Sequence, residues 1–335
     1  MKAFELTGGF GIDKLVLAER AQPVPGHGQA LIKMRTWSLN FRDLLMVRGL
    51  YNPRLKFPFL TLSDGVGEVV ETGPGVTRVK PGDRVAGAFM QGWIDGGLTD
   101  AKAATALGGE IPGLAAEYAV LGDAGLVHVP AHLTDEEAAT LPCAAVTAWN
   151  GLVTSGGLKA GDTVLVQGTG GVSLFALQFA KMHGARVIAT SSSDAKLERV
   201  RALGADETIN YKTTSDWGRA AKALSGGVGV DHIVEVGGTG TLGQSLQAVR
   251  AGGHIALIGV LAGGSIDNPI PILLRNIRVQ GIFVGSRAIF EDMNRAIGIH
   301  KMRPVVDRVF AFSDYPKALA HLESGAHFGK VVLKA

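Results

Sequence analysis

Two stretches of this chain carry residue types able to hold phosphate groups. "VLVQGTGGVS", Val164 to Ser173, begins as an apolar run and ends in glycines, with Gly168 and Gly170 in the first two slots of a Gly-x-Gly-x-x-Gly pattern and Ser173 in the third. Glycines there permit a tight turn and a close approach of backbone to a pyrophosphate, and the helix that follows adds its N–H donors and positive dipole end. Thr169, Gly171 and Val172 fill the rest of the loop. A glycine loop alone would also suit an ordinary βα turn; its place between a strand and a helix favours the dinucleotide reading. The second stretch, "IATSSSDAKLER", lies about twenty residues further on, where an NAD site usually offers a carboxylate to the ribose 2′-hydroxyl. Here stand Ser191, Ser192 and Ser193, with Lys196 one turn later and a Ser191-x-x-Asp194 capping pattern. Hydroxyls donate to a 2′-phosphate that a carboxylate would repel, so NADP(H) is the expected cofactor, although the same serines would suit a solvated helix cap. Tyr211, closing the next apolar run, is placed to cover the adenine.

The elements that must hold these residues follow from the hydrophobic pattern. From about residue 160, short β-rich runs alternate with helical segments: 163–167, 185–190, 207–211, 231–236, 254–260 and 278–285. Most are continuously apolar, as parallel strands covered on both faces must be, and this alternation implies a doubly wound α/β sheet of order 3-2-1-4-5-6. "GVSLFALQFAKMHGA" reads as the first crossover helix, closed by Gly184. The first 125 or so residues differ. "QALIKMRTWSLN", "GVGEVVETGPGV" and "KPGDRVAG" are short strands between Gly/Pro turns, the mark of a small barrel-like domain. "LTDEEAATLPCAAVTAWNGLV" opens with a Thr134–Glu137 capping box and is expected to be one helix bridging the two regions. The last strand, in "FGKVVLKA", exceeds the six already assigned and is expected to return to the first domain.

Composition narrows the function classes. Net charge is +3 with lysine and arginine dispersed, so no basic tract offers a nucleic-acid footprint. No apolar run approaches the ~18 residues of a membrane span, and the N-terminus lacks a signal-peptide core, so a cytoplasmic protein is expected. The one cysteine, Cys143, cannot form an internal disulfide and is expected to pack as a small apolar residue. His128 and His132 are four apart, but Pro130 between them opposes the helical geometry that would aim both at one ion.

"SLNFRDLLMVRG", "SDGVGEVVETGPGV", "KPGDRV", "VTAW", "QGTGGVS" and the terminal "GKVVL" follow one another in an order that resembles the medium-chain dehydrogenase/reductase superfamily, in its zinc-free, quinone-oxidoreductase-like branch. The resemblance implies a GroES-like catalytic domain of residues 1–125, completed by 286–335, around a Rossmann domain of 126–285. It also implies where a catalytic zinc would have been held. The positions of its Cys, His and second Cys are here Asn40, Ser63 (followed by Asp64) and Cys143, and one thiol does not make a three-ligand site. The structural-zinc lobe would fall around 90–112, a stretch without cysteine.

Lacking a Lewis acid, such an enzyme polarises simple ketones poorly, whereas a quinone or enone spreads the charge of an added hydride onto a distant oxygen that hydrogen-bond donors can stabilise. The resemblance accordingly implies an NADPH-dependent, zinc-independent reductase of quinones or activated C=C bonds, with Asn40, Tyr51 and Thr147 near the nicotinamide and Asp43 assisting or holding the loop. It places Val236, Val260 and Val284 as the wall of the nicotinamide pocket and Lys330 at the cofactor phosphates. A homodimer paired through the edge strand 278–285 is the expected assembly. An NAD(P)-dependent alcohol or aldehyde dehydrogenase is the alternative enzyme; a cofactor-binding protein with little turnover is the alternative of another class.

Overall fold

The computed structural model describes residues 1–259 and 268–335. They fall into two compact units, Met1–Val146 with Gly285–Ala335, and Thr147–Val284. Among the described residues no helix is long and apolar enough to cross a membrane.

The second unit is built on a six-stranded parallel sheet. Its strands, in chain order, are Thr163–Gln167, Arg186–Ser191, Glu207–Asn210, Val230–Glu235, Val249–Leu257 and Arg278–Gly281, and they lie side by side in the order 3-2-1-4-5-6. The continuous apolar character of the runs has the cause expected. Val164, Leu165, Val166, Ile233 and Val234 are all fully buried, so both faces of the central strands are covered. The first crossover helix, Gly171–Met182, ends at His183 and leaves through Gly184 in the left-handed conformation. It buries Leu174, Phe175, Leu177 and Phe179, which explains a helix apolar round most of its circumference.

The first unit carries a mixed sheet around the long strand Gln29–Ser38. Asp64–Thr72 pairs with it antiparallel along one edge. Tyr118–Gly122 and Lys330–Lys334 share the other edge, with Leu333 opposite Trp37. The C-terminal strand thus returns to the first unit. Packing explains the return: Trp37 stacks on Phe312 with ring centroids 4.2 Å apart, and the buried Tyr315 hydroxyl shares a 2.9 Å hydrogen bond with Thr61 Oγ1.

Two expectations are corrected here. The first unit extends to Val146 rather than 125, because Leu126–His128 pairs antiparallel with Arg84–Gly87 and the next turn is also held. Thr36 Oγ1 donates to Asp135 O at 2.9 Å, and Arg84 Nε lies 2.7 Å from Asp135 Oδ1. The bridging segment is also not one helix. The Thr134–Glu137 capping box forms reciprocally, at 2.9 and 3.2 Å, but the helix it starts spans only Asp135–Ala138. Wider π-type turns, Leu141–Ala145 and Asn150–Thr154, then flank Val146–Trp149. Pro142 has no N–H to give to the carbonyl four residues before it, so regular α pairing stops there.

Candidate active site

The first unit gathers a buried polar cluster at the positions singled out as former ligand sites. Asn40 precedes the helix Phe41–Val47 and is its N-cap; its backbone N–H donates to Asp43 Oδ2 at 2.7 Å, half of a capping box. Its side-chain Oδ1 accepts from Lys330 Nζ at 2.5 Å, and its Nδ2 faces Ser63 Oγ at 3.5 Å. Ser63 Oγ donates to Asp64 Oδ1 at 2.7 Å, and Asp64 Oδ2 accepts the Cys143 N–H at 3.0 Å. Asn40, Ser63 and Cys143 therefore do come together, linked through Asp64. What joins them is a chain of hydrogen bonds, with a lysine at its end.

The backbone is strained where it delivers Ser63 and Asp64. Leu62 is fully buried with φ +66°, an uncommon conformation for a branched residue, and it turns the chain into the cluster. The segment 107–114 holds that turn, Gly113 N–H donating to Leu60 O and Leu114 N–H to Leu62 O, both at 2.8 Å. A Cβ on Gly113 would stand 2.1 Å from Thr61 O, so only glycine lets the two backbones approach.

Burial dominates the electrostatics. It pushes the Asp43 carboxyl up to about 6 against the opposing pull of Arg42, and raises Asp64 against the pull of Lys330. The Cys143 thiol is pushed up to about 12, by burial first and the neighbouring Asp64 second, so it stays neutral at physiological pH. A neutral thiol suits apolar packing, and the backbone N–H of the same residue anchors Asp64. Arg42 lies under Tyr51, 5.7 Å from the ring centroid, and 4.3 Å from that of Phe89, while its Nη2 donates to Leu107 O. Tyr51 itself is 40 % exposed.

These residues do not fit a zinc ion. Of the three ligand positions only Cys143 has a ligand side chain, and an amino group already occupies the Asn40 oxygen. Among the described residues no group of three or more His, Cys, Asp or Glu side chains is placed to hold a metal. His128 and His132 go separate ways, to Asp83 Oδ2 and to Met302 O, each at 3.0 Å.

Lys330 requires a correction. Expected at the cofactor phosphates, it is 4 % exposed and its Nζ donates to Leu39 O and Asn40 Oδ1. A terminal lysine in a strand paired to Gln29–Ser38 is carried beside Leu39 and Asn40 by the register itself, with Val332 opposite Ser38.

In the second unit the glycine loop has the geometry a dinucleotide needs. Gly168 adopts φ +69° with open space where a Cβ would point, and Gly170 is equally unobstructed. Gly170 is the N-cap of Gly171–Met182 and brings no side chain to cap it, which leaves that helix's first N–H groups to an incoming phosphate. Thr169 is buried, while Gly171 and Val172 are half-buried. Ser173 Oγ donates to Gln167 O at 2.5 Å, tying helix to strand where the pattern's third glycine would have allowed close packing. A nicotinamide dinucleotide therefore fits here.

At the end of the second strand Ser191 is buried and Ser192 half-buried. The capping residue of Asp194–Ala202 is Ser193, not Ser191; its Oγ accepts the Lys196 N–H at 3.4 Å, and Ser191 Oγ accepts the Ser193 N–H at 3.3 Å. Tyr211 is 42 % exposed beyond the third strand, with its N–H on Ser191 O. Val236 follows the fourth strand directly. Val284, a β-branched residue held at φ +56°, gives its carbonyl to Asn150 Nδ2 at 2.7 Å. Val260 lies outside the described residues. Thr147 is buried at the start of the second unit, so Asn40 and Asp43 share the first unit's cluster and Thr147 does not belong to that unit.

One residue beside this loop escaped the sequence reading. Glu235, fully buried at the end of the fourth strand, accepts from Gln167 Nε2 at 2.6 Å, Gly237 N at 2.9 Å, Gly238 N at 3.0 Å, Thr241 Oγ1 at 2.5 Å and Ser245 Oγ. It ties the residue before Gly168 to the loop carrying Val236. An acid between two valines in the apolar run "DHIVEV" is the signal that could have found it, since a buried carboxylate must be paired.

A parallel sheet with a glycine loop in one unit, and a polar cluster at strand and helix ends in the other, are the marks of a two-domain dehydrogenase. Residues 26–131 match the family model described as alcohol dehydrogenase GroES-like domain, and 171–298 the one described as zinc-binding dehydrogenase. A zinc-type alcohol dehydrogenase-like protein of Schizosaccharomyces pombe is 46 % identical, over 97 % of this chain and 96 % of its own length. An acryloyl-coenzyme A reductase of Metallosphaera sedula is 33 % identical over 94 % and 95 %. The crystal structure of a putative alcohol dehydrogenase from Sinorhizobium meliloti superposes with a TM-score of 0.93 at 45 % identity, covering 100 % of this chain and 98 % of the other. The chain belongs to the medium-chain dehydrogenase/reductase superfamily and is an NAD(P)H-dependent oxidoreductase.

Proposed function

We propose that the protein is a zinc-independent, NADPH-dependent reductase of quinones or of C=C bonds conjugated to a carbonyl. The observation that carries this is the hydrogen-bonded chain Lys330, Asn40, Ser63, Asp64, standing at the positions of a ligand set. Loop 168–172 and helix 171–182 would hold the cofactor, with Ser191, Ser192 and Lys196 at the 2′-phosphate, Tyr211 at the adenine, and Val236, Val260 and Val284 along the nicotinamide. When bound, the cofactor supplies a hydride. The chain's part is to place donors where the acceptor's oxygen gains charge, and Asn40 Nδ2 offers N–H for this purpose. Tyr51, half-exposed beside Arg42, is a second donor, and Thr147 orders the carboxamide. Asp43 holds the Asn40 backbone and thereby the helix start. An acceptor whose charge is already delocalised needs no stronger electrophile, which favours quinones and enones over plain ketones. The relative named as an acryloyl-coenzyme A reductase acts, by its name, on such a conjugated C=C.

The names of the Schizosaccharomyces and Sinorhizobium proteins favour a second reading, an alcohol or aldehyde oxidoreductase. A homodimer is also proposed, through the edge strand Arg278–Gly281 and the edge helix Ile270–Leu274, where Ile270, Leu273 and Leu274 are 55, 80 and 77 % exposed. NADPH oxidation measured across quinones, enals, enones and plain aldehydes tests the substrate class. Activity confined to unconjugated carbonyls would favour the second reading, and wild-type turnover in both Asn40→Ala and Tyr51→Phe would remove the residue assignment.

A further inference from the structure

We propose that Lys330 is a positioning residue that sets the Asn40 carboxamide, turning its N–H₂ group toward the acceptor and strengthening it as a donor. The inference rests on the reading of Asn40 given above. Lysine Nζ can only donate, so the Asn40 oxygen must face it and Nδ2 must face the other way. On that side it meets Ser63 Oγ, 3.5 Å off and already using its own proton on Asp64, and the Asp64 carboxylate itself. The bond to Ser63 is long, so an Nδ2 hydrogen can pass from it to a substrate oxygen. Asn40 is also held from behind, its backbone N–H on Asp43 Oδ2, which fixes the main chain from which the carboxamide projects.

The lysine is expensive to bury, and at 4 % exposure it makes two hydrogen bonds, one to the Leu39 carbonyl and one to Asn40. Its charge acts through the amide. Pulling electron density toward Oδ1 leaves the N–H₂ more positive, and it does so without reorganisation when an oxygen beyond it gains charge. The C-terminal strand thus supplies fixed positive charge to a cluster whose two carboxyl groups, Asp43 and Asp64, would otherwise oppose a developing anion.

The test is a double-mutant cycle of Lys330→Met and Asn40→Ala, with NADPH and whichever of 1,4-naphthoquinone and 3-penten-2-one turns over faster. Loss of one oxyanion donor typically lowers kcat by about 100-fold, so Asn40→Ala is expected to fall by about that factor and Lys330→Met by roughly 10- to 100-fold. KM for NADPH should stay within about threefold of wild type in Lys330→Met, and the double variant should be no slower than Asn40→Ala, since the lysine acts only through the amide. Lys330→Arg should recover most of the lost kcat. An equal loss from Lys330→Met in the Asn40→Ala background overturns the inference and leaves the reading of Asn40 intact. A rise in KM for NADPH with kcat retained would return Lys330 to the cofactor phosphates and likewise overturn it. Wild-type kcat in Asn40→Ala refutes both. If Lys330→Met fails to fold by circular dichroism, Asn40→Asp decides: it keeps an oxygen for Lys330 and lacks the N–H, so undiminished kcat in that variant overturns the inference.

Discussion

Replacing His254 with leucine is expected to stabilise the protein, and to do so more strongly in acid. His254 lies in the fifth strand of the parallel sheet, opposite His232, with ring centroids 5.7 Å apart and only 3 % exposure. Neither ring nitrogen has a hydrogen-bond partner. Burial, then Arg278 and His232, lower its pKa from 6.5 to about 4. The folded state therefore keeps the ring neutral, and below pH 6.5 the unfolded state takes up a proton that the folded state refuses. Stability is lost as pH falls from 6.5 toward 4. At 1.36 kcal/mol per unit, the shift of about 2.5 units amounts to about 3.4 kcal/mol at the acid end, of which about 2 kcal/mol is felt at pH 5. Leucine removes both that loss and the unpartnered nitrogens, the latter worth about 1–2 kcal/mol at pH 7.5. Urea unfolding at pH 7.5 and 5.0, followed by circular dichroism, should show wild type losing about 2 kcal/mol more than His254→Leu between the two pH values. Equal losses would refute the burial argument. So would a leucine variant less stable than wild type by more than about 1 kcal/mol at pH 7.5.

Further outcomes follow from other sites. Asp43→Asn should stabilise the protein above pH 6, by up to about 3 kcal/mol at pH 8, because the folded carboxyl titrates near 6 instead of 3.8 and its favourable neutral form is lost as pH rises through that value; unfolding against pH checks the sign. Gly113→Ala should cost roughly 2–4 kcal/mol and lower kcat, since its Cβ would meet Thr61 O at 2.1 Å; thermal unfolding and turnover are the measures. Ser192→Asp should raise KM for NADPH by at least about tenfold while leaving NADH little changed. Leu273→Asp should shift the protein to monomer in light scattering if the edge helix is an interface.

How legible each part was depended on what the residues face. The strand Thr163–Gln167 coincides with the apolar run read from sequence, because a strand covered on both faces announces itself by having no polar residue to interrupt it. The fifth strand begins five residues earlier than its apolar run, at Val249, which pairs with Val230 ahead of an irregular stretch "RAGG" that carries little hydrophobic signal. Asn40, Ser63 and Cys143 could be picked out by their place in the family order, but their hydrogen bonds could not. The Leu62 turn that delivers Ser63 and Asp64 to the cluster depends on a close approach from 107–114, a contact far along the chain. Lys330 shows the limit most clearly. A lysine near a terminus reads as solvated or phosphate-bound, and only the register of its strand against Gln29–Ser38 buries it beside Asn40.

Metal dependence tests the central claim most directly. Protein dialysed exhaustively against a chelator, with zinc content measured in the same sample, should reduce 1,4-naphthoquinone or 3-penten-2-one with NADPH at the rate of the untreated enzyme, with far less than one zinc per chain. Loss of turnover on chelation, restored by added zinc, would contradict an active site in which Asn40 and Lys330 stand where a metal would be held.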